Sequence, residues 1–141
     1  MIAAAVANHG TLMKPYLVDS VRAPDLTVID QTDPSVLSHP VSSEVADELT
    51  TMMTSVVTSG TGKKAQIPGV QVAGKTGTAQ TDPEANDNSW FVGFAPADHP
   101  RIAVAVFVAN GGTHNTEGVT GGDISAPIAK QVMQTFLGEG G

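Results

Sequence analysis

Apolar residues recur along this chain in two rhythms, and each rhythm predicts an element. Val45, Leu49, Met52, Met53, Val56 and Val57 fall at helical spacing and form one buried stripe. Ser42 or Ser43 caps that helix, and Glu44, Asp47 and Glu48 sit near the positive end of its dipole. Ser59-Gly60-Thr61-Gly62 ends it, and its two methionines read as packing. Further on, residues 101–109 alternate strictly. Ile102, Val104, Val106 and Val108 point to one face, and Ala103, Ala105, Phe107 and Ala109 to the other. Both faces are apolar, so both must be covered, which predicts a strand with helices on each side. Residues 89–94 form the strand before it, and the short connection between them predicts an antiparallel hairpin. Val70 and Val72 alternate in a strand-like run, 70–73, that leads into Lys75-Thr76-Gly77-Thr78.

The flanks are less regular. Residues 2–8 read as the end of a helix with Gly10 just past its C-cap; no capping residue precedes it, as if it were cut from a longer helix. Residues 14–21 and 27–29 are short extended segments placed to pair. Asp33-Pro34 and His39-Pro40 make 30–40 a loop. After a Gly-rich stretch, 110–122, a last helix starts near Asp123 or Ser125, with Pro127 in its first turn, and ends by Leu137-Gly138. There is no internal repeat and no domain boundary, so residues 1–141 read as one unit.

Composition narrows the function classes. A chain of 141 residues with 40% hydrophobic content can bury a core. A net charge of −7, with seven scattered Lys and Arg, argues against nucleic-acid binding, because phosphate contacts need clustered cations. The apolar run 102–109 is far too short to span a bilayer, and residues 1–7 lack the basic flank of a signal peptide. With no cysteine there are no disulfides and no thiolate metal sites. His9, His39, His99 and His114 show no metal-ligand spacing, and His114 with Glu117 reads as surface; no cofactor is implied. The acidic loop 82–87 reads as solvated, and the segment 111–122 as a stretch beside the site.

Two motifs compete for Lys75. Gly69 to Thr76 fits G-x-x-x-x-G-K-[ST], the phosphate-binding P-loop. Its required context is missing: Pro68-Gly69 precedes the motif in place of a strand, and Gly77 and two threonines follow in place of a helical turn. The other reading is the Lys-Thr-Gly triplet of serine acyl-transfer sites. Lys75 would hold a carboxylate and polarise the site. Thr76 and Thr78, two positions apart on one strand face, would donate hydroxyls to that carboxylate. Gly77 leaves room where a substrate or a neighbouring wall comes close. A peptide could add to this edge as another strand, with the backbone N–H of Thr78 helping to form an oxyanion hole. The triplet alone fits a solvated lysine at a strand end equally well. The Ser-x-x-Lys and Ser-x-Asn signatures that accompany the triplet are absent: none of the nine serines has Lys three positions on or Asn two positions on.

The surroundings carry a resemblance. Val72 to Gln80, then Ser89-Trp90-Phe91-Val92-Gly93-Phe94-Ala95-Pro96-Ala97, then 101–108, resemble the C-terminal half of a class B penicillin-binding protein transpeptidase domain. Asn8-His9-Gly10-Thr11, Lys14-Pro15 and Ala126-Pro127-Ile128-Ala129-Lys130 resemble it too, in the right order over nearly the whole chain. The resemblance implies an α/β sandwich (α+β) like that of serine β-lactamases: an antiparallel sheet with helices on both faces, incomplete here. It implies peptidoglycan D,D-transpeptidase activity through a serine acyl-enzyme, blocked by β-lactams, outside the cytoplasmic membrane. Lys75, Thr76, Gly77 and Thr78 match the family's third motif, which implies carboxylate binding, oxyanion stabilisation and help in proton transfer. The nucleophile and base have no counterpart in this chain, nor has the family's membrane anchor. The implied partners are an N-terminal part of the same protein carrying the serine, peptidoglycan stem peptides and β-lactams. The family sheet has five strands, two of them preceding the nucleophile, so the 101–109 strand is expected to border a missing partner. Two rivals on the same fold are a non-enzymatic sensor or scaffold and a β-lactamase or D,D-carboxypeptidase.

Overall fold

The computed structural model of the chain describes residues 1–80, 86–111 and 121–139. In chain order its elements are α1 (Ile2–Ala7), β1 (Leu12–Met13), β2 (Ser20–Arg22), β3 (Val28–Gln31), β4 (Val36–Ser38), α2 (Ser43–Thr58), a 3₁₀ turn (Lys63–Ala65), β5 (Ala73–Ala79), β6 (Asn88–Ala95), β7 (Ile102–Val108) and α3 (Gly121–Glu139).

The last three strands form one antiparallel sheet in the order β5-β6-β7. Its register runs without a break: Lys75 lies opposite Val92, Gly77 opposite Trp90, Trp90 opposite Phe107, and Phe91 between Thr76 and Val106. Alternation along β6 sends its two phenylalanines to opposite sides, and both are fully buried. Phe91 and Ala95 join Val104 and Val106 of β7 under Ala126, Ala129 and Met133 of α3. On the other side Phe94 and Ala73 meet Ala3 and Val6 of α1, with Leu49 and Met53 of α2 packed alongside. The antiparallel sheet with helices on both faces is therefore present.

Helix α2 begins as its sequence predicts. Ser42 is the N-cap, and its Oγ accepts from the Val45 N–H at 3.4 Å. Helix α3 starts at Gly121, ahead of the expected Asp123 or Ser125, so Pro127 falls in its second turn. Two contacts fasten that early start. Lys64 pairs with Asp123 at 2.9 Å, and the buried Ser89 and Ser125 hydroxyls bond at 2.5 Å.

Several expectations need correction. Strand β5 begins at Ala73, not at Val70; Val70 instead closes a small bridge with Ile67. The stretch 30–40 is not wholly loop, because β4 lies inside it and pairs with β1, while β2 pairs with β3 as expected. Asp33-Pro34 and His39-Pro40 bracket a strand of only three residues, too short to leave an alternation. The two faces of β7 are not equally covered. Ile102, Val104 and Val106 pack under α3, whereas Ala103, Ala105 and Phe107 remain exposed. Trp90 is 40% exposed on that same face, its ring 4.4 Å from the Phe107 ring.

Candidate active site

Strand β5 carries the whole Lys75-Thr76-Gly77-Thr78 run, and within the described sheet it pairs with β6 alone, as an edge strand. The lysine is thus in mid-strand. No helix opens behind it, so the P-loop alternative has neither its loop nor its helix N-terminus.

The pleat divides the four residues. Lys75 and Gly77 face the α1/α2 side, in register with Val92 and Trp90. Thr76 and Thr78 face the α3 side, in register with Phe91 and Ser89, so the two hydroxyls do share a face. Lys75 is exposed, and its Nζ donates to the carbonyl of Thr76 at 2.6 Å. Among the described residues no carboxylate pairs with it. Beside it runs an apolar groove of about 460 Å³ between α1, α2 and the sheet, walled by Val6, Leu49, Met52, Met53, Val56 and Val92. A cation standing by an apolar groove can hold an anionic group and raise the local potential.

Glycines shape the strand. A Cβ on Gly77 would lie 3.3 Å from Cβ of Trp90, so the close neighbour there is Trp90 on the adjacent strand. Gly74 and Gly93 lie opposite one another, and the Phe91 ring covers both. A Cβ on Gly74 would come within 2.3 Å of that ring, and one on Gly93 within 2.5 Å of the Ala73 carbonyl. The Phe91 ring thus spans two strands at the point where the lysine leaves the sheet.

Thr76 is 8% exposed, and its Oγ1 lies 2.6 Å from Oγ1 of Thr61. Gly122 closes this contact from α3: a Cβ there would sit 2.1 Å from the Thr61 carbonyl and 2.8 Å from Cγ2 of Thr76. Sequence reasoning missed Thr61, Gly122 and Phe91 as parts of the site. The sequence shows Thr61 only as part of a helix stop, Gly122 as part of a Gly-rich stretch and Phe91 as one residue of a strand. The hydroxyl pair is 15 residues apart and leaves no spacing signal.

Of the histidines, His9 contacts Asp47 at 3.1 Å and His39 contacts Thr11 at 3.3 Å. His114, Glu117, most of the acidic loop 82–87 and most of the segment 111–122 lie outside the described residues.

The family model for the penicillin-binding protein transpeptidase domain matches residues 1–134. The peptidoglycan D,D-transpeptidase PbpA of Mycolicibacterium smegmatis is 43% identical over 99% of the chain, and the chain spans 28% of that protein's length. Penicillin-binding protein A from M. tuberculosis, solved as a ceftriaxone acyl-enzyme complex, superposes with a TM-score of 0.85 at 41% identity, over 94% of this chain and 30% of that one. The D,D-transpeptidase domain of a peptidoglycan glycosyltransferase from Eggerthella lenta gives a TM-score of 0.85 at 39% identity, over all of this chain and 31% of that one.

Proposed function

The chain belongs to the penicillin-binding protein transpeptidase family, and from that premise we propose that it supplies the Lys-Thr-Gly wall of a peptidoglycan D,D-transpeptidase. The observation that carries this reading is the edge strand β5, with Lys75 ion-paired to no described carboxylate beside an apolar groove and two threonines on the opposite pleat. The chain spans under a third of the length of these relatives, and in this reading the serine nucleophile belongs to a part that precedes it.

In the reaction, a serine Oγ of that N-terminal part attacks the D-Ala-D-Ala carbonyl of a stem peptide. The peptide bond breaks, the terminal D-Ala leaves with a proton, and an ester remains. The amine of a neighbouring stem then displaces the serine and takes over the acyl group. A β-lactam enters the same way, but its leaving nitrogen stays tethered. Lys75 attracts the substrate's terminal carboxylate and aids proton transfer; Thr76 and Thr78 donate to that carboxylate. Gly77 keeps the strand edge thin, and the Thr78 backbone serves the oxyanion. The N-terminal part also covers the exposed face of β7, whose open edge is otherwise an aggregation hazard. No helix among the described residues is long and apolar enough to cross a membrane. In this reading an anchor in the N-terminal part holds the enzyme at the outer face of the cell membrane.

The test is fluorescent-penicillin labelling of the full-length protein, digested and mapped by peptide mass. The label is expected on the N-terminal part and never on the 141-residue chain. Lys75→Ala is expected to slow labelling about a hundredfold or more, the scale of losing one electrostatic stabiliser. Label within this chain would overturn the division of roles. Rapid release of hydrolysed penicillin would indicate a β-lactamase, and no labelling at all a binding or scaffold protein.

A further inference from the structure

Thr61 reaches the Lys-Thr-Gly run through a hydroxyl from outside the sheet. Its Oγ1 lies 2.6 Å from Oγ1 of Thr76, at the short end for two hydroxyls, so one of them donates to the other. The loop holding Thr61 is itself fixed. The Gly60 and Gly62 N–H groups both donate to the Val56 carbonyl, at 3.1 and 2.9 Å, and α3 presses against the Thr61 carbonyl at Gly122. Thr61 and Thr76 therefore cannot drift apart without moving either α3 or the end of α2.

A hydroxyl has one proton to give and two positions at which to accept. If Thr76 gives its proton to Thr61, it has none for a ligand. If Thr61 donates instead, the proton of Thr76 is free and its O–H is polarised by the bond it accepts. An arriving carboxylate selects the second arrangement, because a hydrogen bond to a charged acceptor is the stronger of the two. Thr76 is 8% exposed, so few partners are within reach, and the choice between Thr61 and an incoming anion decides where its proton goes.

We propose that Thr61 is a positioning residue: it donates to Thr76 and thereby aims the Thr76 hydroxyl at the carboxylate of the substrate. This rests on the transpeptidase reading above, and it adds a residue from the α2–β5 loop to carboxylate recognition.

The experiment compares second-order acylation rates of the full-length protein with benzylpenicillin and with its methyl ester, in which the carboxylate is masked. Thr61→Val removes the hydroxyl at constant shape, Thr61→Ala removes it with less steric demand, and Thr61→Ser keeps it. The expected result is about a tenfold loss with the acid for Val and Ala, little change with the ester, and near-wild-type rates for Ser. An equal loss with acid and ester would mean a merely structural role and would overturn the inference, as would no loss at all. A wild-type protein that is acylated but does not distinguish acid from ester overturns this inference and leaves the transpeptidase reading standing. A wild-type protein that is never acylated overturns both.

Discussion

Phe91 has a ring that does the work of three side chains. It fills the space above Gly74 and Gly93, two facing glycines that would otherwise leave a gap in the sheet, and it closes the core beneath α3. Of the two glycines, Gly93 has the less forgiving neighbour. Its added Cβ would meet backbone, the Ala73 carbonyl at 2.5 Å, whereas Gly74 would meet the ring. Gly93→Ala is therefore expected to lower stability by about 1–3 kcal/mol through overpacking, read as a lower denaturation midpoint at unchanged slope. An unchanged midpoint would mean the two strands can separate locally to admit a methyl. At this scale the sequence disclosed chemistry better than contact. Lys75, Thr76, Gly77 and Thr78 stand together in one run and could be read directly. Thr61, Gly122 and Phe91 could not, since what makes them matter is who they touch across 15 residues or more.

Helix α2 was legible from end to end, because a cap, a stripe and a Gly-rich stop all point to the same boundaries. Strand β5 was legible only in outline: Gly and Thr carry no alternation, so the apolar 70–73 drew attention away from where pairing begins. The short arm strands β1 and β4 were not legible at all, being two and three residues long. The α2 cap has a pH consequence. Glu44 folds back on the helix start, where its own backbone N–H and then the Ser42 hydroxyl hold its carboxyl below the usual 4.5. A carboxyl lowered on folding stabilises the native state at pH above 4.5, and that contribution fades as pH falls through the lowered folded value. Glu44→Gln is expected to melt lower than the parent at neutral pH, with the gap closing in acid below 4.5. Asp25 and Asp98, lowered by Thr27 and by His99, titrate alike in both proteins and cancel from the difference. A gap that is constant with pH would show that the cap works without the charge.

As a whole, the molecule has one finished side and one unfinished side. Under α3 the sheet is sealed by Phe91, Val104, Val106 and Met133. On the α1/α2 side the cover stops short, leaving Lys75, Ala103, Ala105, Phe107 and Trp90 outward. The alternation along β7 predicts cover on both faces, but among the described residues the face of Ala103, Ala105 and Phe107 is left open, and in the proposed reading its cover comes from another stretch of protein. Trp90 is the chain's one tryptophan, and it stands at 40% exposure against Phe107 on that unfinished face. Its emission therefore reports the solvent content of this one patch, with no other indole to dilute it. The fluorescence of the isolated chain is expected to be red-shifted and readily quenched by iodide. If the proposed N-terminal part docks on this face, the Trp90 emission should move to the blue and its quenching should fall. Spectra identical in the two states would place the joint between the parts away from this face. The same exposed patch thus gives the proposed docking a built-in optical gauge.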